Sequence, residues 1–224
     1  MAGTTKYSST NLLPGLSLDP ARWNRKISEP EIASTSKAVL NNGNIEVIRV
    51  KDGRQALDKI KNLIPSGSEV MNGASTTLAE IGFLDYLKSG EHNWVDLHTA
   101  VTSENDEQKR AELRRRSVIA EYFVSGVNAI AMTGELLACD TTGSRTGAWL
   151  FAAKNLILVS GVNKIVPTVD DALQRIREFV YPLEEARLQK ASGGHSRMAK
   201  FAILANERKS GRVKLILIDE VLGY

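Results

Sequence analysis

The chain has 224 residues, of which 42% are hydrophobic and 25% charged, with a formal net charge of +3. That length and apolar content supply one full core, and the near-neutral balance argues against the concentrated basic face of a nucleic-acid binder. The single cysteine, Cys139, excludes an internal disulfide and a cysteine-rich metal site, and no apolar run reaches the roughly 18 residues that span a bilayer. A reducing, cytoplasmic setting without a membrane partner is the expectation.

In chain order, residues 1–27 read as an extended N-terminal arm, because Pro14 and Pro20 break the amphipathic helix that a transit peptide needs. Residues 28–224 read as one α/β domain. Ser28 is placed to cap a helix through about Asn41, ended near Gly43. The run Ile45 to Val50 is a strand pattern. Asp52 then caps a helix carrying Ala56, Leu57, Ile60, Leu63 and Ile64, stopped by Pro65. Glu69 to Met71 is a short strand, followed by the turn Asn72-Gly73-Ala74-Ser75 and one helix bearing Leu78, Ile81, Leu84 and Leu87. This β-α-β-α rhythm predicts a parallel sheet with helices packed on it.

Residues His92 to Ser103 lack a period and read as a connection; Glu104 to about Val124 reads as helix, its charges pairing along a solvated face. Val127 to Met132 and Leu136 to Cys139 form two short strands across Thr133-Gly134-Glu135, a hairpin pattern. Asn155 to Ser160 is almost wholly apolar, as a strand buried on both faces should be. Thr168 and Asp171 start a helix through Phe179, and a second helical piece follows Pro182 to about Lys190. Ala199 to Asn206 and Arg212 to Asp219 alternate, so the sequence predicts a C-terminal β-hairpin at the sheet edge. Open edge strands and the N-terminal arm predict self-association into a homo-oligomer.

Three polar turns carry the candidate chemistry. In the first, Asn72, Gly73, Ser75, Thr76 and Thr77 bring backbone N–H groups and hydroxyls to a helix start, which suits a phosphate or carboxylate. Ser75 or Thr76 as a plain helix cap is the competing reading, and Glu80 is either a base or a carboxylate stabilising the helix dipole. In the second, Asp140 leads to Gly143 and Arg145, a bidentate clamp for an anion or else an Asp-Gly turn with Arg145 paired to Asp140 or Glu135. In the third, Gly161 to Lys164 follows the buried strand, where Lys164 either meets an anion or covers an apolar edge with its stem. Cys139 reads as a small buried hydrophobe. His92, His98 and His195 are too scattered for a metal centre, and neither metal nor cofactor is expected.

The segments GASTTLAEIGFL, EYFVSGVNAIAMTGELLACDTTGSR, VSGVNKIVPTVDDALQRI and GRVKLILIDEVLG resemble, in this order, the LUD (lactate-utilisation) domain family in its stand-alone branch. The resemblance implies a Rossmann-like three-layer α/β sandwich similar to glucosamine-6-phosphate and ribose-5-phosphate isomerases and coenzyme A transferases. It also implies that the three turns converge on one cleft, with Glu80, Asn128, Asp140, Gly143, Arg145, Asn163 and Lys164 at the family's polar positions. The chain lacks the branch's C-terminal cysteine cluster and carries Ser144 where the family's usual residue is Asn. The expectation is a protein of lactate or organic-acid utilisation that binds a small anionic metabolite: an organic acid, a sugar phosphate or a coenzyme A ester. Two alternatives accompany it. One is an isomerase or acyl-transferase-like enzyme with Glu80, Glu135 or Asp140 as base or nucleophile; the other is a non-catalytic subunit of a redox complex.

Overall fold

The computed structural model describes residues 16–224. Of the arm expected over 1–27, residues 1–15 lie outside the described part. The remainder is not extended: Asp19 accepts the Arg22 N–H to start a short helix, α1 (Pro20–Trp23), which buries Trp23. Helix α2 (Glu29–Asn41) starts where Ser28 predicts, with the Glu31 carboxylate accepting both the amide and the hydroxyl of Ser28. After β1 (Glu46–Val50), Asp52 caps α3 (Gly53–Leu63) by accepting the Gln55 N–H at 2.8 Å, and β2 (Glu69–Asn72) follows.

The helix expected after β2 is two helices, α4 (Thr76–Glu80) and α5 (Phe83–Ser89), because Gly82 between them takes a φ of +80°. The stretch read as a connection forms β3 (Val95–Asp96) and α6 (Leu97–Ser103), the latter capped by Asp96. Helix α7 (Glu107–Ser117) stops short of Val124, and β4 (Tyr122–Gly126) occupies what was read as its last turns. The hairpin β5 (Ala129–Ala131) and β6 (Leu136–Asp140) forms as expected around Gly134.

Beyond it come α8 (Ser144–Gly147), a π-turn at Ala148–Ala152, β7 (Asn155–Gly161), a 3-10 turn at Val162–Lys164 and β8 (Ile165–Val166). Helix α9 (Val169–Arg175) runs through a π-turn at Ile176–Val180 into α10 (Tyr181–Ser192) without the expected interruption. Pro182, which has no N–H, sits in the first turn of α10 just after that widened turn. Strands β9 (Lys200–Leu204) and β10 (Val213–Ile218) complete the chain order.

These last two strands are not a hairpin. Strand β10 enters the six-stranded sheet, ordered β1-β10-β7-β4-β2-β3 with every pair parallel, while β9 pairs antiparallel with β6 in a separate sheet ordered β8-β5-β6-β9. The patterns account for the split. Strand β9 leaves Phe201 and Ile203 exposed at an edge, whereas β10 is buried at every position but Lys214, as an inner parallel strand must be.

The large sheet feeds two cores by its twofold alternation. Leu156 and Leu158 of β7 and Leu215 and Leu217 of β10 point to one face, joined by Ile32, Val39 and Trp149. Ile157 and Val159, with Ile216 and Ile218, point to the other, against Ile60 of α3, Leu78 of α4 and Phe83 of α5. The small sheet repeats the device: Leu136 and Ala138 face the large sheet, while Ala129 and Leu137 pack on Ile176, Phe179 and Leu183. Each of the leucine, isoleucine, valine and phenylalanine side chains among these contributes about 1.5–3 kcal/mol by leaving water. The result is a three-layer α/β sandwich with a small sheet and a C-terminal helix laid over one side.

Candidate functional site

The carboxyl ends of β2, β4 and β6, with Lys164 beyond β7, line a cavity of about 450 Å³ in the crevice of the parallel sheet. Its floor is built from glycines that let other chains approach. A Cβ on Gly73 would stand 3.0 Å from Arg145 Cδ, and one on Gly126 would stand 2.2 Å from Ser75 Oγ. Without those side chains, the Arg145 stem lies on the β2 turn and the Ser75 hydroxyl sits against β4. Ser75 Oγ accepts the Leu78 N–H at 3.2 Å, so it caps α4.

Three basic side chains meet at the dipeptide Val127-Asn128. Lys164 Nζ donates to Val127 O at 3.0 Å and to Thr77 Oγ1 at 2.7 Å. Arg145 Nη2 donates to Asn128 Oδ1 at 3.0 Å and to Cys139 O. Arg175 Nη1 donates to Asn128 O, its Nε donates to Trp23 O, and its Nη2 has no partner among the described residues. Every acceptor here is neutral, and no carboxylate of the described residues lies within ion-pair distance of the three. The cost of burial shows in their titration. Burial pushes Arg175 down to about 9 and Arg145 below its usual range, with Asp140 partly offsetting the latter. Lys164 falls well below the ordinary lysine value through burial first and the neighbouring Arg175 charge second.

The rim is supplied by α6, α7, α10 and the C-terminal segment. His98, Arg114, Tyr181, Glu184, Arg187 and Tyr224 all line it. The Glu184 carboxylate binds Arg187 at 2.7 and 2.8 Å and accepts the Tyr224 hydroxyl at 2.8 Å. That network raises the Arg187 guanidinium further, while burial, then the Glu184 charge, pushes the Tyr224 phenol up. Burial lowers His98, so its ring favours the neutral form. Among the described residues no group of three or more His, Cys, Asp or Glu is placed to hold a metal ion.

A sequence profile of the LUD domain matches residues 33–218. The chain belongs to the LUD-domain family. Its fold is similar to that of a DUF162 family protein from Deinococcus radiodurans, with a TM-score of 0.50, 14% identity, and coverage of 86% of this chain and 99% of that one. No curated protein matches the sequence. The LUD family is linked to lactate utilisation, and no helix among the described residues is long and apolar enough to cross a membrane.

Of the residues singled out in sequence, this LUD domain brings Asn72, Gly73, Ser75, Thr76, Asn128, Asp140, Arg145 and Lys164 to the one cavity. Four others do not line it. Glu80 Oε2 accepts the Gly223 N–H at 2.6 Å, although its charge still reaches Lys164. Glu135 lies in the hairpin turn, bonded to Thr133 Oγ1. Gly143 provides the positive φ of +97° for its turn and packs against the Lys200 stem. Asn163 ties the chain end down, donating to Gly223 O at 3.3 Å and accepting the Leu222 N–H at 3.2 Å. Asp140 lines the cavity, yet its carboxylate is consumed by backbone N–H groups: Thr142 at 3.1 Å, Arg145 at 2.8 Å and Thr146 at 3.3 Å.

The anion site foreseen at the β2 turn has a different construction. Helix α4 has five residues and little dipole, and a Cβ on Gly223 would stand 2.4 Å from Thr77 Oγ1, so the C-terminal segment covers that end. Sequence reasoning missed His98, Arg114, Glu184, Arg187 and Tyr224. Nothing local marks them; only the topology carries α6, α7 and α10 to the mouth.

Proposed function

We propose that this LUD-domain protein binds a small anionic metabolite of organic-acid metabolism, lactate utilisation included, in the cavity at the ends of β2, β4 and β6. The observation that carries this reading is the Arg145 guanidinium, which lines the cavity and is bonded only to the neutral oxygens of Asn128 and Cys139, with the Lys164 amino group lining the same cavity. A partly buried cation without an ion-pair partner is costly, and a guest carboxylate or phosphate offsets that cost. Arg145 supplies the planar fork that matches two oxygens of such a group. Asn72 and Asn128, which line the same cavity, orient the rest of the guest.

The test is a melting series with the full chain against organic acids, sugar phosphates and coenzyme A esters. A guest at a hundred times its Kd stabilises by about 2.7 kcal/mol, which a melting curve resolves. No rise with any compound of the three classes overturns the reading.

A further inference from the structure

The nitrogen of Lys164 has two protein acceptors, a number that a neutral amine satisfies. Its two acceptors are Val127 O and Thr77 Oγ1, and the Thr77 hydroxyl sends its own proton to Leu222 O at 3.5 Å, so the Thr77 oxygen receives from lysine. An ammonium has three N–H bonds to place and a neutral amine has two. Two acceptors use both hydrogens of the amine and leave its lone pair unengaged among the described residues. The side chain is 2% exposed to bulk solvent and lines the cavity, where a guest carbonyl can approach it. The charged groups that face it are Arg175 from α9, Arg145 from α8 and Glu80 from α4, two cations against one carboxylate. An adjacent cation and desolvation are the two devices that keep a lysine nucleophilic near neutral pH.

We propose that Lys164 is a catalytic amine that condenses with the carbonyl of an oxo acid whose carboxylate rests on Arg145. The inference rests on the anion reading above and names its substrate class: an acid that carries both a carboxylate and an electrophilic carbonyl. The nitrogen lone pair forms the C–N bond while the carbonyl π pair moves to oxygen. Both N–H hydrogens pass to that oxygen, the C–O bond breaks, and water leaves. An imine and one water replace an amine and a carbonyl, with no oxidant or reductant consumed.

The experiment incubates the full chain near neutral pH with pyruvate, acetoacetate or 2-oxoglutarate and cyanoborohydride, then maps modified peptides by mass spectrometry. The expected product is one adduct on Lys164 whose added mass is that of the acid less one oxygen atom. Its formation reaches plateau at a lower pH than that of a surface lysine, which climbs toward a pH of about 10. Arg145→Ala slows the adduct roughly tenfold or more, and Lys164→Arg abolishes it. Absence of an adduct on Lys164, or adducts spread over surface lysines, overturns the proposal. The mapping in the unsubstituted chain decides this even where a variant fails to fold. A melting series with the same acids separates the two levels. A rise without an adduct overturns the imine alone, whereas no rise with these acids or with the wider panel removes the anion site itself.

Discussion

The turns after β6 and after β7 both end in a basic residue at the cavity wall, and they handle charge in opposite ways. After β6, the residues Asp140 to Arg145 are half-buried or exposed, and the Asp140 carboxylate accepts three backbone N–H groups of its own turn. After β7, Val162, Asn163 and Lys164 are buried, and Lys164 reaches neutral oxygens on α4 and beyond β4. The first turn satisfies its acid locally and offers the Arg145 fork to the cavity. The second brings a lysine amino group into a place with no carboxylate at ion-pair distance among the described residues. Spacing alone does not separate these cases; the hydrogen-bond ledger does.

Arg145→Ala is the largest expected blow to this contrast. It leaves the Asp140 turn, which uses the Arg145 backbone N–H, and removes the fork, costing a bound anion about 2–5 kcal/mol by titration calorimetry. An unchanged affinity refutes the clamp. The next comparison sets the glycines of the two turns against each other. A Cβ on Gly161 meets Asn163 Oδ1 at 2.4 Å, Glu220 O at 2.6 Å and Leu222 N at 2.9 Å, two of them backbone atoms. A Cβ on Gly143 meets the movable Lys200 stem, and its cost is the φ of +97°. Gly161→Ala should therefore lose about 1–3 kcal/mol and weaken the ligand, while Gly143→Ala loses about 1 kcal/mol in urea titration with affinity retained.

The smallest effect is a pH slope. Folded Lys164 releases its proton well below 10.5, while the unfolded amine keeps it to about that value, so the unfolded state binds more protons in between. Stability therefore rises with pH across that window, by up to about 1.4 kcal/mol per unit, and Lys164→Met flattens the slope. An equal slope in both proteins shows that Lys164 stays protonated.

Much of the fold was legible because its signals were local. Asp52 capped α3, and the apolar run of β7 was an inner strand as read. The misreadings share a cause, namely partners distant in the chain. Strand β10 resembles an alternating edge strand only through Lys214; its true neighbours are β1 and β7, far upstream. Helix α6 and strand β3 are too short to show a period, and Gly82 splits a helix whose apolar spacing continues across it. At the site, Arg145 and Lys164 were nominated by their place after strands. Thr77 was nominated with the β2 turn, as part of an anion cradle rather than as the lysine's acceptor; Arg175 was not, since an arginine within a helical pattern looks like an ordinary surface residue.

The insertion of β10 between β1 and β7 also dictates a schedule for biosynthesis. Until Val213–Ile218 emerges from the ribosome, the sheet lacks its second strand, so β1 has no sheet neighbour and β7 is the open edge of the remaining β7-β4-β2-β3. A truncation before Val213 would leave that slot open to a strand from another chain, so nonsense fragments of this protein should coaggregate rather than simply unfold.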